Sequence, residues 1–206
     1  MAEEKGPQWA MATPAVLYMV GVACIGIFGL LMGWFNPGAI PIMGIFLIMC
    51  GLVTLPLGVI SLRRGDILLG SINMVFGALI FLGLGSILAY VGWTFANLGG
   101  APDILQADLR IAGFFAAGIS LLFFLFLPSV GKVSWLIFLA FIVLGVGLAF
   151  LAAGLINGTA FGDFPLNASG YCFLIWAIMV IYLSTAFITN TVYQAPKLSI
   201  GGPIIK

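Results

Sequence analysis

The chain has 206 residues, 63% of them hydrophobic and 6% charged, with no histidine; soluble domains carry roughly 25% charged residues, so a water-soluble globule is excluded and the chain reads as an integral membrane protein. A net charge of +1 leaves no polybasic face or tail, which excludes a nucleic-acid partner. Cys24, Cys50 and Cys172 fall inside apolar runs without metal-ligand spacing, so they read as free packing residues, and neither metal nor cofactor is expected.

The N-terminal stretch MAEEKGPQWAMAT precedes an apolar run that is longer than a signal-peptide core and has no obvious cleavage site, so the first segment is expected to stay on the chain. Crossing the hydrocarbon takes about 20 apolar residues. Six runs meet that need, at 14–34, 39–62, 67–93, 111–127, 133–155 and 170–192, and at that length only helices span. The third is long enough to tilt or project, whereas the fourth is marginal. Between the spans, FNPG, RRGD and PSVGK read as tight reversals, while TFANLGGAPDILQADLR and INGTAFGDFPLNAS are longer loops rich in Gly, Pro and Asn. The expectation is an all-α membrane protein, a six-transmembrane-helix bundle forming a single integral membrane domain over 1–206.

With an even number of spans both termini share a side. Lys5, Arg63, Arg64, Lys132, Lys197 and Lys206 fall on that side and Arg110 alone on the other, which places both termini in the cytoplasm, at a plasma or inner membrane. Trp9, Trp34, Trp93 and Trp135 lie at span ends, at headgroup level; Trp176 is the exception, about two turns into the sixth span. Asn157-Gly158-Thr159 and Asn167-Ala168-Ser169 match the glycosylation tripeptide on the outer side, a pattern that also arises by chance.

Small residues recur at helical spacing. Gly51, Thr54, Gly58 and Ser61 form one stripe of the second span; Gly70, Asn73 and Gly77, with Phe76 beside them, form one of the third; Val22, Gly26, Gly29 and Gly33 form one of the first. Such stripes let backbones approach closely in lipid. They also leave room for a solute path, on which Thr54, Asn73, Thr185, Thr189 and Asn190 are the candidate pore-lining polar residues. No Asp, Glu, Lys, Arg or His lies well inside a span, which argues against a charge-driven pump and against an enzyme needing a nucleophile–base pair, so no catalytic residue is expected.

Three stretches resemble the acetate uptake transporter family, the YaaH-type acetate and succinate carriers. TPAVLYMVG matches the family's first-span opening Asn-Pro-Ala-Pro-Leu-Gly at Pro14, Ala15, Leu17 and Gly21, and departs at Thr13, Val16 and Tyr18. CGLVTLPLGVISLRRGD and the residues after it match at Gly51, Gly58, Arg63, Arg64, Gly65, Phe76 and Gly77, with Thr54 in place of Gln, Ser61 in place of Glu and Asp66 in place of Asn. The last span and LSIG match at Gly170, Tyr182, Asn190, Leu198, Ile200 and Gly201, with Phe187 replacing an acidic residue. The resemblance implies a hexamer of six-helix protomers, each with its own narrow pore closed by apolar side chains and passing small monocarboxylates with protons. It further implies that Phe76 and, one residue after the matched Gly21, Val22 form the constriction, with Gly77 giving clearance.

The missing acids weaken the case for tight symport, so the expected activity is a channel for monocarboxylates such as acetate that passes mainly the protonated acid or is weakly proton-coupled. The alternatives are a channel for small neutral solutes (urea, short amides, ammonia) and a non-conducting scaffold or assembly subunit. The expected partners are a small-molecule solute, membrane lipid and further copies of the chain.

Overall fold

The computed structural model describes residues 13–36, 38–98 and 109–205, with side chains of the third span described through Thr94. Lys5, Trp9 and Lys206, which entered the reading of orientation, lie outside the described residues, as does most of the loop after the third span. The first span is α1 (Thr13–Leu31) and the second α2 (Ala39–Arg63). The third runs as α3 (Ile67–Val75), a π-helical segment (Phe76–Leu84) and α4 (Gly85–Leu98) without a break. The last three are α5 (Arg110–Gly131), α6 (Trp135–Ile156) and α7 (Leu166–Val192). All six are long and apolar enough to cross a membrane, and the chain is an integral membrane protein.

Local chemistry sets the ends. Gly65 takes a left-handed φ of +81°, which a side chain would resist, and so allows the reversal between α2 and α3. Asp66 then caps α3, its carboxylate accepting from the Leu69 N–H at 3.1 Å. Ser134 caps α6, accepting from the N–H groups of Leu136 and Ile137 at 3.1 and 3.3 Å. α7 begins at Leu166, a turn earlier than the apolar run suggested, and α5 continues through Pro128 to Gly131, so the marginal fourth run becomes a full-length helix.

Neighbours around the bundle follow the order α5, α6, α7, α1, α2 and the third span, and the third span meets α5 at the π-helical segment. A ring of six helices thus surrounds one axis. Alternating directions put Arg63, Arg64, Lys132 and Lys197, the start of α1 and the end of α7 at one end, called lower here, and Arg110 at the upper end.

The small-residue stripes of α2 and the third span face each other. A Cβ on Gly51 would lie 3.1 Å from the Gly77 carbonyl oxygen, one on Gly58 3.3 Å from the Met74 nitrogen, and one on Gly85 3.0 Å from the Gly44 carbonyl oxygen. These backbones touch as membrane helices with small interfaces do. Gly44, Gly51 and Gly58 are seven residues apart, as are Gly70 and Gly77 and then Gly85 and Gly92; the step from Gly77 to Gly85 holds one residue more. The wider π-helical turn lies between those two glycines and absorbs the extra residue, so both still face α2.

At the lower end the C-terminal segment straps the bundle. Asn190 donates to the Leu198 carbonyl at 2.8 Å and accepts from the Leu198 N–H at 2.9 Å. Ser134 donates to the Ile200 carbonyl, the Trp135 N–H to Gly202 and the Ile204 N–H to Gly131, tying the segment to the α5–α6 turn.

Candidate functional site

Two cavities lie on the bundle axis, one above the other. The upper is walled by Val20, Cys24 and Leu31 of α1, Leu47 of α2, Phe81 and Leu84 of the π-helical segment, Ala112 of α5, Leu144 and Leu148 of α6 and Phe173 of α7. The lower is walled by Thr13 and Val16 of α1, Ile72 and Asn73 of α3, Ala140 and Phe141 of α6, and Trp176, Val180 and Phe187 of α7. Val20 and Phe76 belong to both walls. Measured as room for the centre of a water-sized sphere, the upper cavity holds about 70 Å³ and the lower about 40 Å³. About 10–15 Å³ of such room accommodates one water, so each cavity takes a solute of a few heavy atoms. Neither wall carries Asp, Glu, Lys, Arg or His.

Between them sits a knot of rings. Phe76 stacks on Trp176 with centroids 5.5 Å apart and planes 20° from parallel, and meets Phe123 at 5.3 Å. Phe123 meets Phe141 edge-on at 5.1 Å. The four rings come from the π-helical segment, α5, α6 and α7, so helices on different sides of the ring meet at one level. Each is nearly fully buried, and each aromatic pair adds roughly 0.5–1.5 kcal/mol beyond the area it covers. Phe76 of this knot and Val20 of α1 border both cavities.

Phe76 sits at that level and Asn73 lines the lower cavity, its amide donating to the Ser61 hydroxyl at 3.4 Å. The other residues singled out in the sequence lie elsewhere. Val22 is 53% exposed on the outside of the bundle: two residues turn a helix by about 200°, and it is Val20, 1% exposed, that faces the axis. Gly77 does not clear space beside Phe76; it abuts α2, where a Cβ would come within 2.8 Å of Leu55 Cδ2. Thr54 is fully buried, with its hydroxyl donated to its own helix at the Cys50 carbonyl, 2.7 Å away. Thr185 bonds the Tyr18 hydroxyl at 2.8 Å and the Ile181 carbonyl at 2.9 Å, linking α7 to α1. Asn190 holds the C-terminal strap. These three polar groups bond within the protein, and none is on either cavity wall. Val20, Phe141 and Trp176 also line a cavity and Phe123 packs against Phe76; of these four, only Trp176 had a signal in the sequence, as a tryptophan away from the interface.

The described residues form a bundle of six membrane-spanning helices with two uncharged cavities inside it. A solved structure described as that of the bacterial acetate channel SatP matches with a TM-score of 0.76, covering 94% of this chain and 100% of that one at 23% identity. The fold expected from the family resemblance is the fold found. No protein-family model matches the chain, and no curated protein does.

Proposed function

We propose that the chain is a divergent member of the acetate uptake family and a channel for small monocarboxylates such as acetate, passing mainly the protonated acid. The observation that carries this reading is the pair of uncharged cavities divided by the Phe76 knot at the centre of the bundle, in a fold shared with an acetate channel. A carboxylate entering such a neck loses hydration worth many kcal/mol, tens by Born reasoning, and no Lys, Arg or metal offsets the loss. The neutral acid brings its own counter-charge as a proton. Phe187, on the lower wall where the family keeps an acid, and Ser61, hydrogen-bonded to Asn73, leave no carboxylate to hold a proton in transit. Coupling then resides in the solute.

The test is uptake of labelled acetate into liposomes holding the purified protein, with protein-free liposomes subtracted. Acids with pKa of about 4 to 5 gain roughly tenfold in neutral form per unit of acidification near neutrality. Uptake is expected to climb steeply from pH 7.5 to 5.5; a flat profile rejects the mechanism. The uncharged walls equally favour a neutral solute, and swelling in urea faster than in acetate at pH 5.5 would select that reading. A protein that accelerates neither would be a scaffold. We further propose a hexamer in a plasma or inner membrane with both termini cytoplasmic, supported by the family resemblance and by the basic residues gathered at the lower end.

A further inference from the structure

We infer that Trp176 is the solute-recognising group of the neck: its indole N–H donates a hydrogen bond to a carbonyl or carboxyl oxygen of the solute as it passes Phe76. Among the described residues, the Trp176 Nε1 is the buried side-chain nitrogen or oxygen without a hydrogen-bond partner, and the side chain is 1% exposed. Buried donors are almost always satisfied, and an unsatisfied one calls for a cause. The surroundings supply one, since Trp176 stands on the wall of the lower cavity with its ring face against Phe76, where the two cavities meet.

Other buried polar groups around the bundle interior are engaged. The Asn73 amide is bonded to Ser61, Ser184 donates to the Pro14 carbonyl at 2.7 Å, and Ser120 and Ser169 donate to carbonyls of α6 at 2.7 Å. The indole nitrogen donates and cannot accept, which sets the ligand's chemistry: an acceptor oxygen on a body small and apolar enough for a cavity of this size. Acetic acid and short amides both qualify. With little water nearby to compete, the bond counts for more than it would in solution. A channel walled only by hydrocarbon would discriminate by size; this donor adds discrimination by chemistry.

The proposal rests on the channel reading above, and two measurements on the full-length protein test it. The first replaces Trp176 by benzothienylalanine, which keeps the shape of the bicyclic ring and substitutes sulfur for N–H. Acetate uptake by liposomes at pH 5.5 is expected to fall about tenfold, the loss expected for one hydrogen bond of about 1.4 kcal/mol. Unchanged uptake with the isostere, while the wild type remains active, overturns the proposal and leaves the channel reading intact. Wild-type liposomes that take up no acetate overturn both. The second follows the ¹⁵N–¹H signal of the Trp176 indole in detergent, assigned by its absence in Trp176→Phe. Addition of acetate at pH 5.5 is expected to move that signal, and addition of equimolar chloride is not. A signal indifferent to acetate rejects the donor role even if the isostere conducts poorly, because a merely structural loss would not involve the ligand.

Discussion

Val20 and Val22 are chemically identical and two residues apart on α1, yet one lines both cavities and the other faces outward. Val20→Trp is expected to reduce acetate uptake at least tenfold by filling the neck, whereas Val22→Trp, on the outer surface, is expected to leave it within twofold; equal effects would mean that the axis is not the path. The same pair shows what a single sequence conveys. Helical spacing put Gly70, Asn73 and Gly77 on one face of the third span with Phe76 beside them; in the structure the two glycines pack against α2, while Asn73 and Phe76 line the lower cavity. Spacing gave no way to choose the inward face of α1, where hydrophobic residues occur all round. Thr54, Thr185 and Asn190 read as free polar groups because their partners are either backbone carbonyls of their own helix or residues brought near only by folding, such as Leu198 and Tyr18. Phe123 and Phe141 cannot be told by composition from Phe114 and Phe115, which are exposed to the surroundings.

At the scale of the helix, the third span departs most from expectation. Its apolar run predicts one long regular helix, but nine of its residues, Phe76–Leu84, are π-helical. A trace of this is present in the sequence, in the glycine spacing that lengthens by one residue between Gly77 and Gly85 and nowhere else along the seam. Excising the exposed Ala78 therefore restores a regular helix between two glycines that stay on the same face. That deletion variant is expected to assemble with little loss of thermal stability. Deleting Val59, also exposed but in the regular part of α2, rotates Ser61 and Arg63 by about 100° relative to Gly44 and Gly51. It breaks the Ser61–Asn73 contact and is expected to lower the unfolding temperature sharply or abolish folding. Equal tolerance of both deletions in a thermal-shift assay would contradict the role given to the π-helical segment.

The whole molecule holds two uncharged cavities within a ring of helices, and its length, hydropathy and bare interior were all legible in the sequence; the meeting of four rings from four helices was not, since no local pattern records which side chains meet across a bundle. If the neutral acid is the permeant species, no net charge crosses. A potential of 100 mV is worth about 2.3 kcal/mol for each elementary charge carried, enough to change an ionic flux many-fold. Acetate uptake at pH 5.5 is expected to be the same with and without a potassium diffusion potential of that size, while passage of the anion would make it strongly voltage-dependent.

Cys24 stands on the wall of the upper cavity, whereas Cys50 and Cys172 are absent from both cavity walls. Nature has thereby installed a single thiol gauge in the upper vestibule. With the other two exchanged for alanine, Cys24 alone can answer a small sulfhydryl reagent from within that cavity, and saturating solute is expected to slow the reaction by occupying the same space.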